Sequence, residues 1–141
     1  MKHYVFDSFA MIAFFENEPG ADLVEQVLQT IFSKHALGWM SVVNWGELYY
    51  CTCREQGPET ADRVLLQLSS YPIEIVPADQ AMTLEAAHLK ARYRLAYADC
   101  FAAALAARKR ALLITGDPEF ALIDKEVRIL WLPQAEIQVS S

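Results

Sequence analysis

Tyr97-Ala98-Asp99-Cys100-Phe101-Ala102-Ala103-Ala104-Leu105-Ala106-Ala107-Arg108-Lys109-Arg110-Ala111-Leu112-Leu113-Ile114-Thr115-Gly116-Asp117-Pro118 carries two structural signals in one run. Its first part, rich in alanine, predicts a helix that starts near Tyr97 and packs closely on a sheet. Its second part, Ala111 to Thr115, is almost uniformly apolar and reads as a strand buried on both faces, closed by Gly116-Asp117-Pro118. A helix that feeds such a strand is the repeating unit of an α/β fold.

The rest of the chain alternates in the same way. Tyr4 to Phe6 is a short apolar strand, and Ala10 to Phe15 continues with helical character until Glu16-Asn17-Glu18-Pro19-Gly20 breaks it. Leu23, Val24, Val27, Leu28 and Ile31 recur at helical spacing between Ala21 and Ser33. Leu37 to Met40 is a second strand, and Ser41 caps a helix through Arg54. Gly57-Pro58 ends that helix and opens another to about Ser69. Ile73 to Val76 is a third strand, followed by a helix from Asp79 to about Tyr93. Val127 to Leu132 is a fifth strand, and a short helical piece through Ile123 precedes it. The expected fold is a three-layer α/β sandwich, with helices flanking a mostly parallel five-stranded sheet.

The chain has 141 residues, is 54% hydrophobic and 21% charged, and shows no repeat or long linker, so one domain spanning 1–141 is expected. Met1 to Asp7 lacks the pattern of a secretory signal, and no run is long and apolar enough to span a bilayer. The expectation is a cytoplasmic protein without membrane association. Three cysteines, Cys51, Cys53 and Cys100, have neither the even count nor the spacing of a disulfide framework or zinc site.

In a parallel sheet, helices that follow strands begin at the carboxyl edge, where ligands bind. Asp7 directly follows strand one, Asp117 lies just past Thr115, and Glu47 sits about two turns into the helix after strand two. The helix bearing Asp99 must end at the opposite edge to feed strand four, so its start returns Asp99 to the same rim. Each acid taken alone reads equally well as a helix cap. Four at one edge point to a site. Like charges gathered there repel and raise one another's pKa unless a cation neutralises them. Mg²⁺ or Mn²⁺ suits such oxygen donors, and the matching chemistry is activation of water against a phosphodiester.

The net charge of −6 excludes the general attraction of a basic nucleic-acid-binding module. Yet Lys90, Arg92, Arg94, Arg108, Lys109 and Arg110 cluster in a segment whose sole acid is Asp99. Lys90, Arg92 and Arg94 could grip RNA phosphates or simply complement a helix end. His3, His35 and His88 form no catalytic pattern. Trp39, Trp45, Tyr49 and Tyr50 could form core, a base-stacking platform or a partner surface, and are read as core or dimer contacts.

Four blocks, Val5-Phe6-Asp7-Ser8, Asn44-Trp45-Gly46-Glu47-Leu48, Tyr97 to Ala104 and Thr115-Gly116-Asp117-Pro118-Glu119-Phe120, occur in an order that resembles the PIN-domain family, and within it the VapC-type toxins of toxin-antitoxin pairs. The resemblance covers nearly the whole chain. It implies an endoribonuclease dependent on Mg²⁺ or Mn²⁺, with Asp7, Glu47, Asp99 and Asp117 as its acidic quartet. Asp7 and Asp99 would be the firmest metal ligands, and Thr115 matches a position that often bears a hydroxyl. It further implies an RNA substrate of the tRNA or rRNA class, a homodimer and a small antitoxin as partner. One departure stands out: Phe9 occupies the position where many relatives have Ser or Thr, and the hydroxyl sits one residue earlier, at Ser8.

Other classes fit less well. A dinucleotide-binding fold needs a glycine-rich turn where Asp7-Ser8-Phe9-Ala10 has none. An aspartyl-phosphate phosphatase usually has a second Asp where Phe9 stands. A catalytically silent binding module would be expected to have lost an acid, and all four are present. An RNA-processing nuclease outside any toxin pair remains the nearest alternative.

Overall fold

The computed structural model describes residues 1–133; the end of the expected domain, 134–141, lies outside them. The elements run β1 (Lys2–Phe6), α1 (Ser8–Phe15), α2 (Ala21–Phe32), β2 (Ala36–Ser41), α3 (Val42–Gln56), α4 (Pro58–Leu68), β3 (Ile73–Val76), α5 (Gln80–Arg92), α6 (Tyr97–Lys109), β4 (Leu112–Thr115), a 3₁₀ turn (Pro118–Ile123) and β5 (Ile129–Trp131). The strands form one sheet in the order β3-β2-β1-β4-β5, and every neighbouring pair is parallel. The sheet is thus wholly rather than mostly parallel. Each connection must cross over through a helix, which accounts for the alternation read from the sequence.

Side-chain alternation along the strands splits the core in two. Val5 and Leu113 face one layer, where they meet Leu89, Phe101 and Leu105 from α5 and α6. Phe6 and Ile114 face the other, against Met11, Leu28, Leu48 and Val64 from α1 to α4. Helix α6 is buried without interruption from Asp99 to Ala106. Its alanines let the backbone approach β1, β2 and β4 closely, while Phe101 and Leu105 fill the gaps. Burying each such large side chain contributes about 1.5–3 kcal/mol.

Local signals explain most helix boundaries. Asp7, Ser41 and Asp79 each accept a hydrogen bond from a backbone N–H in the first turn of the helix they precede. Gly57 has a positive φ of 90°, which lets it end α3 and lead into Pro58 at the start of α4. The piece after β4 is a 3₁₀ turn rather than an α-helix, and strand β5 has only three residues.

The strand order reverses between β1 and β4, which places the topological switch point between these two strands. Phe6 pairs with Ile114, so Asp7 and Thr115 leave the sheet side by side. Among the described residues no helix is long and apolar enough to cross a membrane.

Candidate active site

At the switch point Asp7 is 1% exposed. Its Oδ1 accepts the Ala10 N–H at 2.8 Å, and its carboxylate also takes a hydrogen bond from Thr115. Thr115 is itself fixed, because its Oγ1 accepts the Asp117 N–H at 3.1 Å. Asp7 therefore caps α1 and also belongs to a polar relay linking β1 to the turn after β4. Burial pushes its carboxyl up to about 8, and the charges of Asp99 and Asp117 add to that rise against the two hydrogen bonds.

Asp99 enters from the first turn of α6 and is 8% exposed. Burial, followed by the charges of Asp117, Glu47 and Glu119, raises its carboxyl to about 7. Oxygen atoms of Asp99, Asp117 and Glu119 lie within 4.8 Å of one another. Asp117 caps the 3₁₀ turn by accepting the Glu119 N–H at 2.9 Å, which draws Glu119 toward it. The three acids grade from buried Asp99 through half-buried Asp117 to exposed Glu119, so the cluster opens outward.

Glu47 lies on α3 and is held from two sides. The Ser8 hydroxyl donates to its Oε1 at 2.8 Å and Asn44 Nδ2 donates to the same oxygen at 3.1 Å. Asn44 is fully buried and also donates to the Ala98 carbonyl at 3.2 Å, tying α3 to the turn before Asp99. Its Oδ1 is buried with no hydrogen-bond partner among the described residues. Asn44→Leu is expected to lower stability by about 1–3 kcal/mol, because the Ala98 carbonyl and a glutamate oxygen lose their donor together. Urea denaturation checks this; an unchanged midpoint would show that Asn44 does not join these elements.

The four acids singled out from the sequence thus fall in one region, but they are not equivalent. The tightest carboxylate group comprises Asp99 and Asp117 with Glu119, whereas Asp7 and Glu47 flank it, the Asp7 carboxylate taken by Ala10 and Thr115 and Glu47 Oε1 by Ser8 and Asn44. Glu119 was not singled out from the sequence. The available signal was Asp-Pro-Glu, in which a capping Asp and a proline at the first helical position bring the third residue's backbone onto the cap. The hydroxyl of Ser8 turns out to hold Glu47.

Two of the three basic residues before α6 have structural partners. Lys90 Nζ donates to the Leu95 carbonyl at 2.8 Å, and Arg92 pairs with Glu126 at 3.0 Å while its guanidinium lies over the Tyr93 ring. Arg94 is exposed. His3 hydrogen-bonds through Nδ1 to the Lys109 carbonyl and meets the Trp39 ring edge-on, far from the acids at the other end of β1. Trp39 belongs to the first core layer and Trp45 packs on the second, whereas the Tyr49 hydroxyl donates to Asp62. The three cysteines are free thiols.

The donor set fits a hard divalent cation. It is composed of carboxylate oxygens and is acceptor-rich, and the rise in the pKa values of Asp7 and Asp99 comes first from burial and then from the neighbouring acids, whose charge a cation would offset.

A wholly parallel five-stranded sheet with this acidic group at its switch point defines a class of α/β protein, and the PIN domain family model matches residues 4–126. The chain belongs to the PIN domain family. Among solved structures, its fold is similar to VapBC2 from Rickettsia felis bound to a promoter DNA fragment, with 18% identity, 93% of this chain and 99% of that chain covered, and a TM-score of 0.74. DNA-bound VapBC from Salmonella typhimurium gives 19% identity, 92% and 98% coverage and a TM-score of 0.74. VapC20 of Mycobacterium tuberculosis, a toxin that cleaves the sarcin-ricin loop, gives 15% identity, 85% and 93% coverage and a TM-score of 0.68. No curated protein matches the sequence.

Proposed function

We propose that this chain is a single-domain, metal-dependent endoribonuclease that hydrolyses RNA phosphodiester bonds, and that it acts in the cytoplasm as the toxin of a toxin-antitoxin pair. The observation that carries the reading is the convergence of Asp99, Asp117 and Glu119 beside buried Asp7 at the switch point of the sheet. Membership in the PIN domain family supports nuclease chemistry. The similar folds in VapBC complexes support a small antitoxin as partner, and the cutting of the sarcin-ricin loop by VapC20 supports a structured RNA substrate. A homodimer and a substrate of the tRNA or rRNA class are part of the same proposal.

Asp99, Asp117 and Glu119 would hold Mg²⁺ or Mn²⁺, with Asp7 and Glu47 completing the negative field directly or through water. A bound ion of this type would supply an acidified water and stabilise charge developing on phosphoryl oxygens. The chain's own part is positioning. Thr115 fixes the Asp7 carboxylate, Ser8 and Asn44 fix Glu47, and the buried start of α6 keeps Asp99 in place. Pre-arranged charges of this kind need no reorganisation during the reaction. No side-chain nucleophile is required.

The test is incubation of the purified protein, freed of partners, with transfer and ribosomal RNAs in Mg²⁺ or Mn²⁺, beside an EDTA control. Metal-dependent cutting at discrete positions is expected. A folded protein that binds metal and RNA but cuts neither RNA class would move the function to a binding module.

A further inference from the structure

We infer that Phe9 is a stacking platform for an unpaired nucleobase next to the bond being cut. This rests on the nuclease reading above and narrows its substrate to RNA with an unstacked base beside the scissile phosphate.

Phe9 lies in the first turn of α1, between Ser8, which donates to Glu47, and Ala10, which donates to Asp7. Its ring rests on Gly116, the residue linking Thr115 to Asp117. A Cβ at Gly116 would fall 2.4 Å from Phe9 Cε1 and 3.0 Å from its Cδ1 and Cζ, so only glycine admits the ring in this place. One side of the ring is therefore pinned to the site's backbone. The side chain nevertheless leaves the residue 37% exposed, and it belongs to neither hydrophobic core. Phe6 and Phe120, by contrast, are completely buried.

An aromatic ring fixed at the rim of a carboxylate cluster is not explained by core packing. Its surroundings also restrict how RNA can be attracted. The chain carries a net charge of −6 and its site is acidic, so phosphate contacts offer little attraction beyond that of a bound cation. Stacking of a base on an aromatic face is indifferent to charge, and it is the usual way proteins hold unstacked RNA bases. Phe9 supplies that face beside Asp7 and Asp117.

The test uses the full chain with Ca²⁺ in place of Mg²⁺ or Mn²⁺, so that a cation offsets the acidic site while cutting is suppressed, and single-stranded oligoribonucleotides that carry 2-aminopurine at one position. A wild type that shows no stacking signal under these conditions overturns the inference. Phe9→Leu keeps apolar packing on Gly116 and removes the ring. It is expected to weaken binding about tenfold and abolish the stacking-induced fluorescence change. Phe9→Tyr should retain both signals. Phe32→Ala, which alters an exposed ring at the end of α2, should change neither. Wild-type affinity and quenching in Phe9→Leu would overturn the inference, as would a loss confined to binding of a partner protein. Cleavage is scored separately. A wild type that cuts with metal while Phe9→Leu binds and cuts identically loses the stacking role alone; one that stacks but never cuts loses the nuclease reading alone.

Discussion

Asp99→Asn is expected to reduce metal-dependent RNA cleavage by about a thousandfold or more while leaving the protein folded. Asp99 is the buried member of the carboxylate group formed with Asp117 and Glu119, and the amide keeps the shape of the carboxylate without its charge. Losing one preorganised electrostatic group commonly costs about 10²–10³ in rate, and loss of a buried metal ligand adds weaker ion binding. Asp7→Asn should have a comparable effect and is the sharper variant. Asp7 also caps α1, and Asn caps helices about as well as Asp, so the substitution removes charge while preserving the bond from Ala10. Single-turnover cleavage with Mn²⁺, together with circular dichroism and a metal titration, checks both variants. Wild-type rates in either would mean that the acid is only structural, a helix cap in the case of Asp7, and that the chemistry lies elsewhere.

That choice between cap and ligand shows how far the sequence could be read. The alternation of elements was legible because buried parallel strands and alanine-rich crossover helices have distinct periodicities, as in Tyr97 to Thr115. The convergence of Asp7, Glu47, Asp99 and Asp117 on one edge followed from topology, since Asp7 and Asp117 follow strands, Asp99 opens a helix, and Glu47 lies within two turns of a helix start. The roles within the cluster were not legible. Glu119 joins the carboxylate group through the tight turn capped by Asp117, and its position depends on the 3₁₀ winding rather than on residue type. Lys90 and Arg92 looked available for phosphates because their partners, the Leu95 carbonyl and Glu126, depend on how α5 packs and not on a sequence pattern. Phe9 looked like a lost hydroxyl. Its contact with Gly116 joins the segments that follow β1 and β4, and it becomes visible only once these two strands are side by side.

The second large effect concerns pH and metal together. Free carboxylates titrate near pH 4 in an unfolded chain, whereas burial first, and neighbouring acids second, raise Asp7 to about 8 and Asp99 to about 7 in the folded protein. Between these limits the folded state holds more protons than the unfolded state. Stability of the metal-free protein is therefore greatest, with respect to these groups, below about pH 4 and falls as pH rises through 7 and 8. The loss is expected to reach several kcal/mol, or a melting temperature lower by about 10 °C, across the neutral range. Thermal unfolding in EDTA at a series of pH values measures it. Asp7→Asn, which cannot ionise, should flatten the slope and make the metal-free protein more stable than wild type at pH 8. Saturating Mg²⁺ or Mn²⁺ should flatten it as well, because a bound cation keeps the carboxylates ionised and takes up their mutual repulsion. By the same linkage, metal affinity must rise with pH over this window as fewer protons have to be displaced. Stability in EDTA that increases from neutral pH to pH 8, or metal binding indifferent to pH, would contradict the proton-loaded site. In that case the acids of the resting protein would already be neutralised by contacts other than a cation.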